Sequence, residues 1–142
     1  MLEARYAIRS ARVAVAILFG LIIGGCPQRT GVWIREGSTS NDLVLEFGKE
    51  RGKPGNAAIG AIRVYRCDAP ATGAGAAWVV GPASGTADVP QIRYGETPVG
   101  FTSDQGPQPL VSGCYRVDIS GTGKTEFVID SAGRVVERER RN

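Results

Sequence analysis

From Gly31 onward the chain breaks into brief β-type runs separated by Gly, Pro, Asn and Asp, and within several of them apolar and polar residues alternate with a period of two. Such alternation puts successive side chains on opposite faces of a half-buried strand, whereas a helix needs a 3.6-residue period, which no window sustains. The runs 32–36, 42–47, 58–66, 76–80, 90–94, 113–120, 125–130 and 134–139 are the predicted strands. Within 42–47, Leu43, Leu45 and Phe47 share one face. Within 113–120, Tyr115, Val117 and Ile119 point inward and Arg116 and Asp118 outward. The last two runs close as a hairpin, because Asp130-Ser131-Ala132-Gly133 has turn chemistry and Gly133 tolerates a positive φ. The expectation is an all-β domain of about 7–8 antiparallel strands, in a sandwich or a small barrel.

The pattern before Gly31 is of another kind. Arg5, Arg9 and Arg12 form a basic stretch opposed only by Glu3, and Val13 to Ile23 is an 11-residue apolar run. A spanning helix needs about 20 apolar residues, so this run fits the apolar centre of a secretory signal, expected to be helical. Ile23-Gly24-Gly25-Cys26 follows and resembles the lipobox of bacterial lipoproteins. The resemblance implies cleavage before Cys26, a diacylglyceryl thioether on its thiol and acyl chains of the palmitate type. Two or three chains anchor stably where one does not. The alternative is an ordinary secretory signal with Cys26 incidental. The expected division is a signal peptide over 1–25, a lipidated tether over 26–30 and a β-sandwich over 31–142.

Charge and cysteines follow from that division. The whole chain carries 17 basic and 14 acidic residues, net +3. Without Arg5, Arg9, Arg12 and Glu3 the balance is 14 against 13, so the basic excess belongs largely to the address. No basic stripe interleaved with aromatics points to nucleic acid. With Cys26 acylated, Cys67 and Cys114 are an even pair in an exported chain and read as one disulfide. Cys114 alternates with Arg116 and Asp118, and Cys67 with Tyr65 and Arg63, so both thiols belong to polar faces. If the two strands are antiparallel neighbours, Tyr65 falls opposite Arg116, a cation–π contact, and Arg63 opposite Asp118, an ion pair. The bridge is then a staple within one sheet, closing 46 intervening residues and worth about 3–4 kcal/mol.

Leu110, Gly113 and Tyr115 resemble the tyrosine corner of immunoglobulin-like and fibronectin type III-like sandwiches. That resemblance implies an immunoglobulin-like topology with the tyrosine hydroxyl bonded to nearby backbone, and no particular function.

Gly121-Thr122-Gly123-Lys124-Thr125 looks like the tail of a phosphate-binding loop. Asp118 stands where the first glycine should, and residues 125–130 read as a strand, leaving no helix N-terminus to cradle phosphate. The expectation is a hairpin turn with a solvated lysine and no nucleotide. Histidine is absent, which removes Ser-His-Asp and Cys-His arrangements and the commonest zinc ligand. No calcium-loop spacing occurs and the acidic residues are scattered singly. The expectation is no catalysis, no cofactor and no metal.

The Pro- and Gly-rich segment 95–109 reads as a long loop and is the candidate binding surface, with Tyr94, Glu96, Phe101 and Asp104 as its residues. Phe101 as a cap on the sandwich edge is the alternative. Trp33 and Trp78 lie within strand alternations and are expected in the core rather than on a sugar-stacking platform. The charged run from Glu137 to Asn142 is expected to be a solvated strand end that discourages edge pairing. The chain also resembles small bacterial lipoproteins of uncharacterised role. Its expected function is a membrane-anchored module of the cell envelope that binds or supports without catalysis, in the outer membrane facing the periplasm if the host is Gram-negative. The alternative is a small ligand-binding or inhibitory protein acting on an envelope enzyme or glycan through 95–109.

Overall fold

A computed structural model describes residues 30–70 and 73–138. The expected signal peptide, the acylated Cys26 with the tether up to residue 29, and the last four residues of the C-terminal charged run lie outside the described residues.

Eleven short strands make up the described chain: β1 (Gly31–Ile34), β2 (Val44–Gly48), β3 (Ala57–Ile59), β4 (Ile62–Arg66), β5 (Ala76–Pro82), β6 (Ala87–Val89), β7 (Gln91–Arg93), β8 (Phe101–Gln105), β9 (Gly113–Ile119), β10 (Gly123–Ile129) and β11 (Val135–Arg138). All pairings are antiparallel. The strands form a three-stranded sheet β1-β2-β7, a six-stranded sheet β11-β10-β9-β4-β5-β8 and a ribbon β3-β6. One apolar cluster joins the two larger sheets, with Leu45 and Phe47 from β2 and Val64, Trp78, Val117 and Phe127 from the six-stranded sheet. The architecture is all-β and consistent with a sandwich.

The expected inward residues occupy that core: Leu45 and Phe47 on β2 with Leu43 just before it, and Tyr115, Val117 and Ile119 on β9, are all buried. Tyr115 stacks on Phe127 with ring centroids 5.4 Å apart, and its hydroxyl accepts the N–H of Val111 at 3.1 Å. Gly113 suits the position beside it, since its φ of 143° is one that side-chain-bearing residues rarely adopt. The final hairpin turns at 130–133 as its chemistry predicts. Asp130 Oδ1 accepts the N–H groups of Ala132 and Arg134, each at 2.9 Å, and Gly133 takes φ 78°.

Three strand assignments change. The run 58–66 divides into β3 and β4, because the backbone at Gly60 passes against Ser120, whose carbonyl accepts the Gly60 N–H at 3.2 Å. Residues 87–89 and 101–105 are strands, so 95–109 is only partly a loop. They escape a pattern search for different reasons: β8 is an edge strand that buries Phe101 alone and so does not alternate, and β6 alternates over only three residues, too few to stand out.

Register defines two ends of the molecule. Gly31 pairs with Gly48, and Ile119 with both Ile62 and Gly123, at the end where the described chain begins, called here the tether end. At the far end, Ser40 N–H donates to Gly133 O and Val135 N–H to Ser38 O, and the Tyr94 hydroxyl donates to Gln108 O at 2.7 Å.

Candidate functional site

Among the described residues, a cleft opens at the tether end, between β1 and the turn into β10. In β1, Val32 and Ile34 face the core, so Gly31 and Trp33 face outward. Trp33 is therefore half-buried at a cleft wall and not in the core, whereas Trp78 is wholly buried as expected. The indole lies along its own strand over Gly31, where a Cβ would come within 2.5 Å of the ring. The cleft has a volume of about 410 Å³, and Arg51, Lys124 and Arg138 supply its cations.

Glu137 is its one carboxylate, and it is fully engaged. Its Oε1 accepts the Thr125 hydroxyl at 2.6 Å; its Oε2 accepts the Ile34 N–H at 3.1 Å and pairs with Arg51 at 2.7 Å. The Glu137 side chain is 10% exposed while that of Arg51 is 56% exposed, so the guanidinium keeps most of its face in solvent. Lys124 pairs with Asp118 at 3.3 Å and is largely exposed. A second hollow of about 330 Å³ adjoins at Thr30 and is lined by Lys49, Glu50 and Lys53 of the loop between β2 and β3. Together these side chains offer cations, hydroxyls and an indole, which suits a ligand with an anionic group and an apolar or glycerol-like part.

Gly121-Thr122-Gly123-Lys124-Thr125 is the reversal from β9 to β10, with Thr122 N–H donating to Ile119 O and Gly121 at φ 80°. Lys124 sits on a strand and turns to Asp118.

Cys67 and Cys114 are joined, with Cα atoms 5.4 Å apart. The bridge ties neighbouring strands of the six-stranded sheet, with Tyr65 opposite Arg116 and Arg63 opposite Asp118 as the alternation requires. The side-chain partners differ from the expected ones. Arg116 pairs with Glu126 at 2.5 Å and Asp118 with Lys124, because β10 sets each opposite charge directly across the ladder. The Arg116 guanidinium is held above its usual range first by its hydrogen bond to Glu126 and then by that carboxylate's charge. Arg63 is left to the Ser120 hydroxyl at 3.3 Å, and the cation–π contact is Arg66 over Tyr115 at 5.7 Å. The two sulfurs and the Glu126 carboxylate converge within 4.8 Å. The sulfurs are bonded to each other and Glu126 to Arg116, so the group acts as a staple.

The residues of 94–109 are not gathered into one site. Phe101 is buried in the core, and Tyr94 packs against Trp78 with ring centroids 5.1 Å apart. Burial of the Tyr94 phenol pushes its pKa up to about 12, with a smaller push from Tyr115. Glu96 is exposed and lies 3.6 Å from Arg93; Asp104 is exposed on the β8 edge. Trp33, Arg51 and Arg138 were not singled out by the sequence pattern as site residues. The available signal was the phase of β1, in which Val32 and Ile34 claim the core face and leave Trp33 on the other.

No protein family, curated protein or solved structure matches the chain.

Proposed function

We propose that the chain is a membrane-anchored lipoprotein of the cell envelope, a non-catalytic binding or structural module carried on an acylated Cys26. The observation that carries this reading is the ordered series of basic stretch, apolar run and Ile23-Gly24-Gly25-Cys26, set only a few residues before the first strand at Gly31. The Cys67–Cys114 bond supports it independently, since such bonds persist in oxidising, exported compartments. An immunoglobulin-like identity for the domain is supported by the Tyr115 hydroxyl on the Val111 N–H and by the antiparallel sheets around one core. In a Gram-negative host the residue after the acylated cysteine, Pro27 rather than aspartate, favours the outer membrane's inner leaflet.

Labelling cells with an alkyne-bearing palmitate analogue tests the reading. The wild-type chain is expected to take the label and Cys26→Ser to lose it. A label retained by Cys26→Ser, or absent from the wild type, overturns the reading.

A ligand-binding role is better supported at the Trp33 cleft than along 95–109, because Tyr94 and Phe101 are committed to packing.

A further inference from the structure

Among the described residues, the tether end gathers several exposed cations. Lys49, Arg51, Lys53, Lys124 and Arg138 are all exposed there. Among the described residues the carboxylates at the same end are Glu50, paired to Lys53 at 2.6 Å, Asp118, paired to Lys124, the enclosed Glu137, Glu46, which lies across the ladder from Trp33 and is buried, and Asp88 on β6. At the far end the charges interleave: Asp42 lies between Arg93 at 3.0 Å and Arg35 at 3.7 Å, and Asp130 holds Arg134 at 2.8 Å.

Two apolar groups share the tether end with the cations. Trp33 stands beside Thr30, where the described chain begins. Val99, wholly exposed, tops the 98–101 turn, in which Phe101 N–H donates to Pro98 O. That turn belongs to the same end because Phe101 pairs with Pro82, two residues past the Ile62–Val80 pair. Lysine and arginine around an amphipathic indole is the side-chain set that settles at a membrane–water boundary.

From these observations we infer that the tether end docks on the anionic phospholipid headgroups of the bilayer that holds the anchor. The inference rests on acylation at Cys26. Four peptide units between Cys26 and Thr30 span at most about 14 Å, so an acylated Cys26 keeps this end at the headgroup layer. There the cations meet phosphate: the exposed face of Arg51 and the Lys124 ammonium at the cleft, and Lys49 and Lys53 in the adjoining hollow. The indole of Trp33 lies at the depth of the glycerol, and the far end is held outward. Anionic headgroups set the orientation, because a lipid anchor by itself limits the distance to the bilayer and does not choose which side chains meet it.

The test uses the purified, acylated chain in vesicles of phosphatidylcholine alone and of phosphatidylcholine with phosphatidylglycerol, each containing a lipid brominated near the headgroup. Trp33 emission is expected to be quenched several-fold more strongly in the anionic vesicles, with Trp33→Phe identifying the signal over the core Trp78. Lys49→Glu with Lys53→Glu, both on an exposed loop, is expected to bring quenching down to the neutral-lipid level. Quenching that ignores lipid charge, or that survives the double reversal, overturns the docking. Should Cys26 carry no acyl group, anchoring fails by itself, and co-sedimentation of the chain with the same two vesicle types decides the docking. Each basic contact is then worth about fivefold in partitioning onto the anionic vesicles, and equal partitioning overturns it.

Discussion

The Glu137 carboxylate in β11 accepts the backbone N–H of Ile34 in β1 at 3.1 Å, joining the open edge of the three-stranded sheet to the six-stranded one. A second oxygen of the same group takes the Thr125 hydroxyl, which is itself buried. Glu137→Ala leaves both donors without a partner at the seam and is expected to cost about 2–3 kcal/mol in urea unfolding. Arg51→Ala removes only a solvent-facing partner and is expected to cost less than about 1 kcal/mol. Equal losses for the two variants would show that the seam depends on the ion pair rather than on the two hydrogen bonds.

The disulfide supplies a separate increment. Its cysteines are 47 positions apart, and confining that loop in the unfolded chain is worth about 3–4 kcal/mol. Both sulfurs lie outside the apolar cluster, so Cys67→Ser with Cys114→Ser is expected to lower stability by that amount while leaving the near-ultraviolet dichroism of Trp78 intact. Loss of that tertiary signal under native conditions would mean that the bridge organises the core.

Tyr115→Phe isolates one hydrogen bond, because the stack on Phe127 survives the change. The Val111 N–H loses its acceptor at 3.1 Å. Val111 itself is more than half exposed, so water can reach the region and the expected cost is about 1 kcal/mol, at the low end for such a bond. An undiminished unfolding midpoint would show that the hydroxyl contributes nothing to the corner.

What could be read without coordinates was whatever a two-residue period and a single covalent constraint determine together. Opposing Cys67 to Cys114 fixes the β4–β9 register, and alternation then places Tyr65 against Arg116 and Arg63 against Asp118. The ion pairs were not legible, since the identity of the strand on the other side of β9 decides them, and β10 supplies Glu126 and Lys124. β8 was hidden by its polarity, for an edge strand that buries one residue has no pattern to show. The tether-end cleft draws Trp33, Arg51, Lys124 and Arg138 from four separated segments, and sheet packing alone brings them together. In the same way Lys124, read as a solvated turn lysine, gains a setting only once β1 and β11 are placed beside β10.

Tyr94 gives the fold an alkaline limit. Its ring is packed against Trp78 and its one hydroxyl proton goes to Gln108 O at 2.7 Å, with Ala77 O a second acceptor at 3.2 Å, so ionisation would put a charge on a half-buried oxygen that faces two carbonyls. Burial raises its pKa from 10.0 to about 12. The folded state therefore favours the protonated phenol. That preference contributes fully below pH 10 and is lost as pH rises through about 12, the unfolded chain ionising first. Unfolding midpoints are expected to hold up to about pH 10 and to fall over the next two pH units. Tyr94→Phe, which removes the donor to both carbonyls, should start about 1 kcal/mol lower and lose this part of the decline. A phenolate absorbance titration of the two chains checks the assignment: their difference should show one tyrosine ionising near 12, and a difference step near 10 would mean that the hydroxyl is open to water.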